Sequence, residues 1–211
     1  MNVDATEPSG LRLRQGTDGD VADVAELHAA QITEGFLALL GPRFLRRLYR
    51  RIVRTHPSFL LVVDQHATTV GFLAGSTDVH GLYRSFLVHD GIPAGFAGGT
   101  RMVRSWRRVL ETLRHGSDAS GHGAELLSVA VRPDARGLGV GTLLVQGFLG
   151  EIAQRGVHAA HVVVAAHNEA AVALYERSGF EIAERFELHK GTESLLMQRD
   201  ASPPAEQTSE C

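Results

Sequence analysis

Cysteine is all but missing: Cys211, the final residue of 211, is the only one. An intrachain disulfide and a cysteine-rich zinc site are therefore excluded, and the lack suits a reducing compartment. Long apolar runs are missing too. The longest clear one, Phe59 to Val63, is far short of the roughly 20 residues that a membrane helix needs. The opening MNVDATEPSG lacks the basic and apolar regions of a secretory signal, so a cytoplasmic protein with no membrane partner is expected. There is no basic excess either: the formal charge is −3, which argues against a general nucleic-acid binder. Lys190 is the only lysine, so the cations are almost all arginine, a bias of composition that needs no phosphate ligand to explain it.

What is present describes an ordinary globular chain, 44% hydrophobic and 21% charged, long enough for one substantial core. The polar ends, 1–10 and 200–211, are expected to be disordered, leaving 11–199 as a single domain. A strand at about 11–14 leads through Thr17, Asp18 and Asp20, all cap candidates, into a helix at about 18–30. A second helix spans about 42–54, with Pro42 near its first position. Its arginines form a basic face opposite Phe44, Leu45, Leu48, Ile52 and Val53. SFLLVV (58–63) and TTVGFLAGST (68–77) read as a hairpin around Asp64, Gln65 and His66.

Residues 78–123, glycine-rich around an amphipathic helix at about 100–114, are too long for a plain loop and read as a functional insertion. The rhythm then resumes: strand 124–131, helix 138–154, strand 157–164, helix 168–178, and strands at about 180–186 and 193–199. Strand–helix–strand order implies a parallel pair, so the fold class is α/β, or α+β if the hairpins dominate.

The chemistry centres on 131-VRPDARGLGVGTLL-144. A glycine loop between a strand and a helix is a recurrent phosphate cradle, because free N–H groups at the helix start point toward the anion. The nucleotide-triphosphate loop needs Gly-Lys-Ser/Thr, and here Gly141 is followed by Thr142 with no lysine. The dinucleotide fingerprint would put its third glycine on Thr142 and needs an acid after the next strand, which ends in Val163 and Val164. What remains is Arg136-x-x-Gly139-x-Gly141.

That arrangement resembles the GNAT superfamily of acyl-CoA N-acyltransferases, and a second block, 168-NEAAVALYERSGF-180, extends the likeness. In it Asn168 suits a helix N-cap and Gly179 the left-handed position after the helix, with Phe180 closing the cap. The resemblance runs over about 11–199, with no named counterpart for 78–123. It implies a mixed, mostly antiparallel central sheet with a splayed parallel strand pair and flanking helices.

The resemblance also implies acetyl-CoA as cosubstrate and an amine as acceptor. Carried over to this chain, Arg136, Gly137, Leu138, Gly139, Val140, Gly141 and Thr142 hold the pyrophosphate, and Val129 and Val131 pair with the pantetheine arm. Asn168 either bonds that arm or serves only as a cap. Tyr175 is the candidate proton donor to the departing thiolate and Glu125 the candidate base. Relatives that acetylate ribosomal-protein N-termini carry a glutamate where this chain has Val163, so a small amine or amino-sugar acceptor is favoured over a protein. A homodimer is left open. No metal site is expected: His158 and His161, an odd number apart on a strand, face opposite sides. A noncatalytic acyl-CoA sensor on the same fold is the competing class, although it has no use for Tyr175.

Overall fold

Strand-forming runs set the architecture. The computed structural model describes residues 5–6, 10–33, 41–79, 81–82, 123–189 and 192–200. Among them eight strands build one sheet: β1 Ala5–Thr6, β2 Leu11–Gln15, β3 Ser58–Gln65, β4 Thr68–Ser76, β5 Ala124–Val131, β6 Ala159–Ala165, β7 Glu181–His189 and β8 Thr192–Asp200. Their spatial order is β1-β2-β3-β4-β5-β6-β8-β7. Every neighbouring pair is antiparallel except β5 and β6.

Among the described residues, four helices cover the sheet: α1 Val21–Gln31, α2 Gly41–Arg54, α3 Val140–Gln154 and α4 Glu169–Arg177. On one face α3 buries Val140, Leu144, Val145, Phe148 and Ile152 against Leu13, Leu61, Leu73 and Leu126. On the other, α1 and α2 bury Val24, Leu45, Tyr49 and Ile52 against Leu60, Val62, Phe72 and Ala74. The central strands β3 and β4 are thus covered on both sides, which is why their sequences are continuously apolar rather than alternating.

The α1 end is pinned to the sheet by Arg14 on β2, which donates to both carboxylate oxygens of Asp20 at 2.9 and 2.7 Å and to Asp64 of β3 at 2.6 Å. This ion pair pulls the Asp20 carboxyl down to about 2.

Several boundaries differ from those expected. Residues 18–20 form a 3-10 turn before α1, and β6 starts at Ala159 rather than 157. The β3–β4 turn is made by His66 and Ala67, both at positive φ (49° and 63°), with Gln65 still paired to Thr68; two left-handed residues are what a tight hairpin turn with native twist requires. Ala5 and Thr6, in the stretch expected to be disordered, pair with Leu13 and Arg12. The core of the expected insertion, 83–122, lies outside the described residues, as do 34–40 and 201–211.

Candidate active site

The parallel pair is short. Ala124, Glu125 and Leu126 pair with Ala160, His161 and Val162, and beyond them β5 pairs only with β4 while β6 pairs only with β8. The two strands part as a wedge at their C-terminal ends. At its start lies a bulge: Ser128 pairs with Ala74 and Leu126 with Gly75, leaving Leu127 as the extra residue.

The phase of the β4–β5 ladder decides what β5 shows to the wedge. The Arg132 N–H donates to the Val70 carbonyl at 2.8 Å. Antiparallel ladders alternate bonded and non-bonded pairs, so the pairs Val131–Gly71 and Val129–Leu73 are non-bonded ones. The backbone groups of Val129 and Val131 therefore point away from β4, into the opening, while their side chains pack toward the α3 core.

Above the wedge, β5 runs through a 3-10 turn, Pro133–Ala135, into the glycine loop. Gly137 and Gly139 have φ of 77° and 86°, and a Cβ on either would meet nothing within 4 Å. Gly139 caps α3 in a left-handed conformation, which side chains resist. The first intrahelical bond runs from Leu143 N to Gly139 O, so the amides of Val140, Gly141 and Thr142 precede it and have no intrahelical acceptor. Leu138 is an exposed apolar side chain, 47% accessible. The Arg136 guanidinium bonds Gln31 Oε1 at 2.7 Å, tying the loop to the end of α1.

Gly141 differs from the two loop glycines: its Cβ would come 3.2 Å from the end of the Leu174 side chain of α4, which can shift to admit it. A further close approach escaped the sequence reading. At Gly71 on β4 a Cβ would lie 2.7 Å from Val140 Cγ1, so the first turn of α3 rests directly on that strand.

Asn168 caps α4, its Oδ1 accepting from Ala171 N at 3.2 Å. The helix ends with Gly179 at φ 82°; Phe180 N bonds Tyr175 O and Gly179 N bonds Glu176 O, the paired bonds of a Schellman turn. Tyr175 is 2% exposed, 5.7 Å from the Phe180 ring, and burial alone pushes its phenol pKa up. The phenol thus stays protonated across the neutral range.

Glu125 sits at the closed end of the wedge. Ala124 and Leu126 face α3, so Glu125 faces the α1–α2 side. It is 6% exposed, and its Oε2 lies 3.5 Å from His161 Nε2. Sequence reasoning missed this partnership. His158 precedes β6 instead of lying on it, and only the strand register brings His161 opposite Glu125. Among the described residues no cluster of metal-ligating side chains occurs and no helix is long and apolar enough to cross a membrane.

A model of the acetyltransferase (GNAT) family matches residues 23–180. A mycothiol acetyltransferase of Geodermatophilus obscurus is 38% identical over 92 residues, 42% of this chain and 29% of that protein. The ribosomal protein bS18-alanine N-acetyltransferase of Escherichia coli is 42% identical over 60 residues, 28% of this chain and 40% of that protein. The matched stretch thus spans less than half the length of either relative. Among solved structures, the Escherichia coli ribosomal-protein-S18-alanine N-acetyltransferase superposes with a TM-score of 0.60 at 16% identity, over 93% of this chain and 97% of that one. The protein yncA of Salmonella typhimurium, solved with its cofactor acetyl-CoA, gives 0.60 at 18% identity over 95% and 99%. At such identities the likeness is one of fold. Because the family match runs from α1 through the wedge and the glycine loop to the turn after α4, this chain belongs to the GNAT family of acetyltransferases.

Proposed function

We propose that this protein moves an acetyl group from acetyl-CoA to a primary amine by direct attack in a ternary complex. The observation that carries the reading is the wedge, with Val129 and Val131 turned toward it and the free amides of α3 at its mouth. A pantetheine arm has amides that can pair with such an edge, and a pyrophosphate suits a helix N-terminus. Arg136, Gly137, Leu138, Gly139, Val140, Gly141 and Thr142 would cradle the pyrophosphate. The open space over Gly137 and Gly139 leaves room for it. Asn168, whose Oδ1 is engaged in the cap, keeps its amide N–H groups for the arm.

An alkyl ammonium with a pKa of about 10.4 costs roughly 4.6 kcal/mol to deprotonate at pH 7, so a placed acceptor accelerates attack. Glu125 takes that proton. The amine nitrogen then forms the new C–N bond at the thioester carbonyl as the C–S bond breaks. Tyr175 gives its proton to the leaving thiolate and recovers one from the nitrogen of the new amide. The acceptor is a small amine or amino sugar rather than a protein, with Val163 in place of the glutamate of ribosomal-protein relatives.

The test is a screen of amines, amino sugars and peptides with acetyl-CoA, reading CoA thiol release. Amine-dependent release is expected, and Glu125→Gln should lower it and remove an acidic limb from the pH profile measured with one acceptor. Acetyl-CoA binding without amine-dependent release would make the protein a sensor instead, and an unchanged profile would remove Glu125 from the mechanism.

A further inference from the structure

Behind the bulge lies a chain of polar groups buried in the apolar layer under α1 and α2. His28 of α1 is 1% exposed and Tyr49 of α2 is fully buried. His28 Nδ1 and the Tyr49 hydroxyl are 2.6 Å apart, and that hydroxyl is 3.0 Å from Ser128 Oγ. Three rings fix the arrangement: Tyr49 stands edge-on to His28 and to Phe72 at 5.8 and 5.4 Å, while His28 stacks on Phe72 at 6.2 Å. Ser128 itself is half-buried and belongs to the bulge where β5 leaves β6. The bulge turns it to the same sheet face as Glu125.

The direction of the chain follows from its far end. His28 Nε2 is buried and has no hydrogen-bond partner among the described residues. A buried N–H without an acceptor is rarer and costlier than a buried lone pair without a donor. Burial also keeps the ring neutral, so one nitrogen carries one proton. With the proton on Nδ1, His28 donates to Tyr49, Tyr49 donates to Ser128 Oγ, and the Ser128 O–H is left to donate outward.

We propose that Ser128 is a specificity residue that donates its hydroxyl proton to an oxygen of the acceptor, with Tyr49 and His28 as positioning residues that fix this direction. The acceptor class is then an amine carrying a hydroxyl or carbonyl oxygen near its nitrogen. This rests on reading the wedge as a transferase site. Tyr49 bonds Ser128 and His28 bonds Tyr49, so both act only through Ser128.

Two measurements test it. In the wild-type protein, long-range nitrogen–proton NMR of His28 should show a protonated Nδ1 and a bare Nε2; a proton on Nε2 overturns the proposal. In kinetics with glucosamine and with cyclohexylamine, Ser128→Ala should raise the KM for glucosamine about ten-fold, the loss of roughly 1.4 kcal/mol expected of one hydrogen bond. The acetyl-CoA Kd and the cyclohexylamine KM should stay unchanged. Ser128→Thr should restore the glucosamine KM, and Tyr49→Phe should repeat the Ser128→Ala pattern if it folds. Equal losses for both amines would reduce the chain to a structural role. Turnover of cyclohexylamine but not glucosamine overturns this inference alone; no turnover with any amine overturns the transferase reading as well.

Discussion

Replacing Gly71 by alanine tests whether the seating of α3, and not the glycine loop alone, makes the site. The new Cβ would lie 2.7 Å from Val140 Cγ1, 3.2 Å from Leu144 Cδ1 and 3.3 Å from the Ala130 carbonyl oxygen. That oxygen belongs to the ladder joining β4 to β5 and cannot retreat. Relief must come from the first turn of α3 lifting off the sheet. Overpacking of this kind costs about 1–3 kcal/mol, and in a domain of this size each kcal/mol lowers Tm by roughly 2–4 °C. A fall of about 2–12 °C is expected on that basis. The amides of Val140, Gly141 and Thr142 move with the turn, so acetyl-CoA binding should weaken by about ten-fold, or roughly 1.4 kcal/mol. Gly150→Ala is the control on the same helix: nothing lies within 4 Å of its Cβ, so it should stabilise by about 0.5–1 kcal/mol and leave affinity alone. Thermal melts and titration calorimetry of both variants decide the matter. A Gly71→Ala protein that melts and binds like the wild type would refute the claim that α3 is held at its working height by this contact.

Gly139→Ala should destabilise by about 1–2 kcal/mol, because its φ of 86° is left-handed. Gly141→Ala, helical and touching only a flexible Leu174, should be nearly neutral in urea unfolding. Aspartate at either position should abolish stabilisation by acetyl-CoA, since a carboxylate repels the pyrophosphate; unchanged affinity would sink the loop assignment. Tyr175→Phe should leave acetyl-CoA binding intact and lower turnover, and an equal rate with chemistry limiting would remove the phenol from the mechanism. Acid should lower stability over two successive pH ranges. His28, held down to about 4 by burial, binds its proton more readily when unfolded, so stability falls as pH drops from about 6.5 toward 4. Asp20, held at about 2 by Arg14, keeps its contribution above the ordinary carboxylate range and loses it as pH falls from there toward 2. His28→Phe should flatten the first of these falls in urea titrations across that range.

The legible parts of this protein are those governed by local rules. Asn168, Gly179 and Phe180 obey capping chemistry that needs only neighbours along the chain, and the left-handed Gly139 stands at a strand-to-helix junction where such a turn is required. The apolar runs of β3 and β4 announce burial on both faces. What stayed hidden depends on pairing across the fold. The bulge at Leu127 exists only relative to Gly75 and Ala74 on β4. Glu125 meets His161 only through strand register, and Gly71 looks like any strand glycine until α3 is placed on it. Tyr49 lies within the basic helix at 42–54, and nothing local to it or to His28 shows that their side chains meet.

The short seam between β5 and β6 also has a mechanical consequence. Three residue pairs hold the strands together at one end, and they are separate from there to Val131 and Ala165. Five residues of extended chain make an arm of roughly 16 Å, so a small rotation at the seam becomes a large displacement at the mouth. Leu126 and Val162, buried at 3% and 2%, are the last pair of the seam and the point where the two strands part. A change of packing at that pair would be felt at the far end of the opening, five residues along β5.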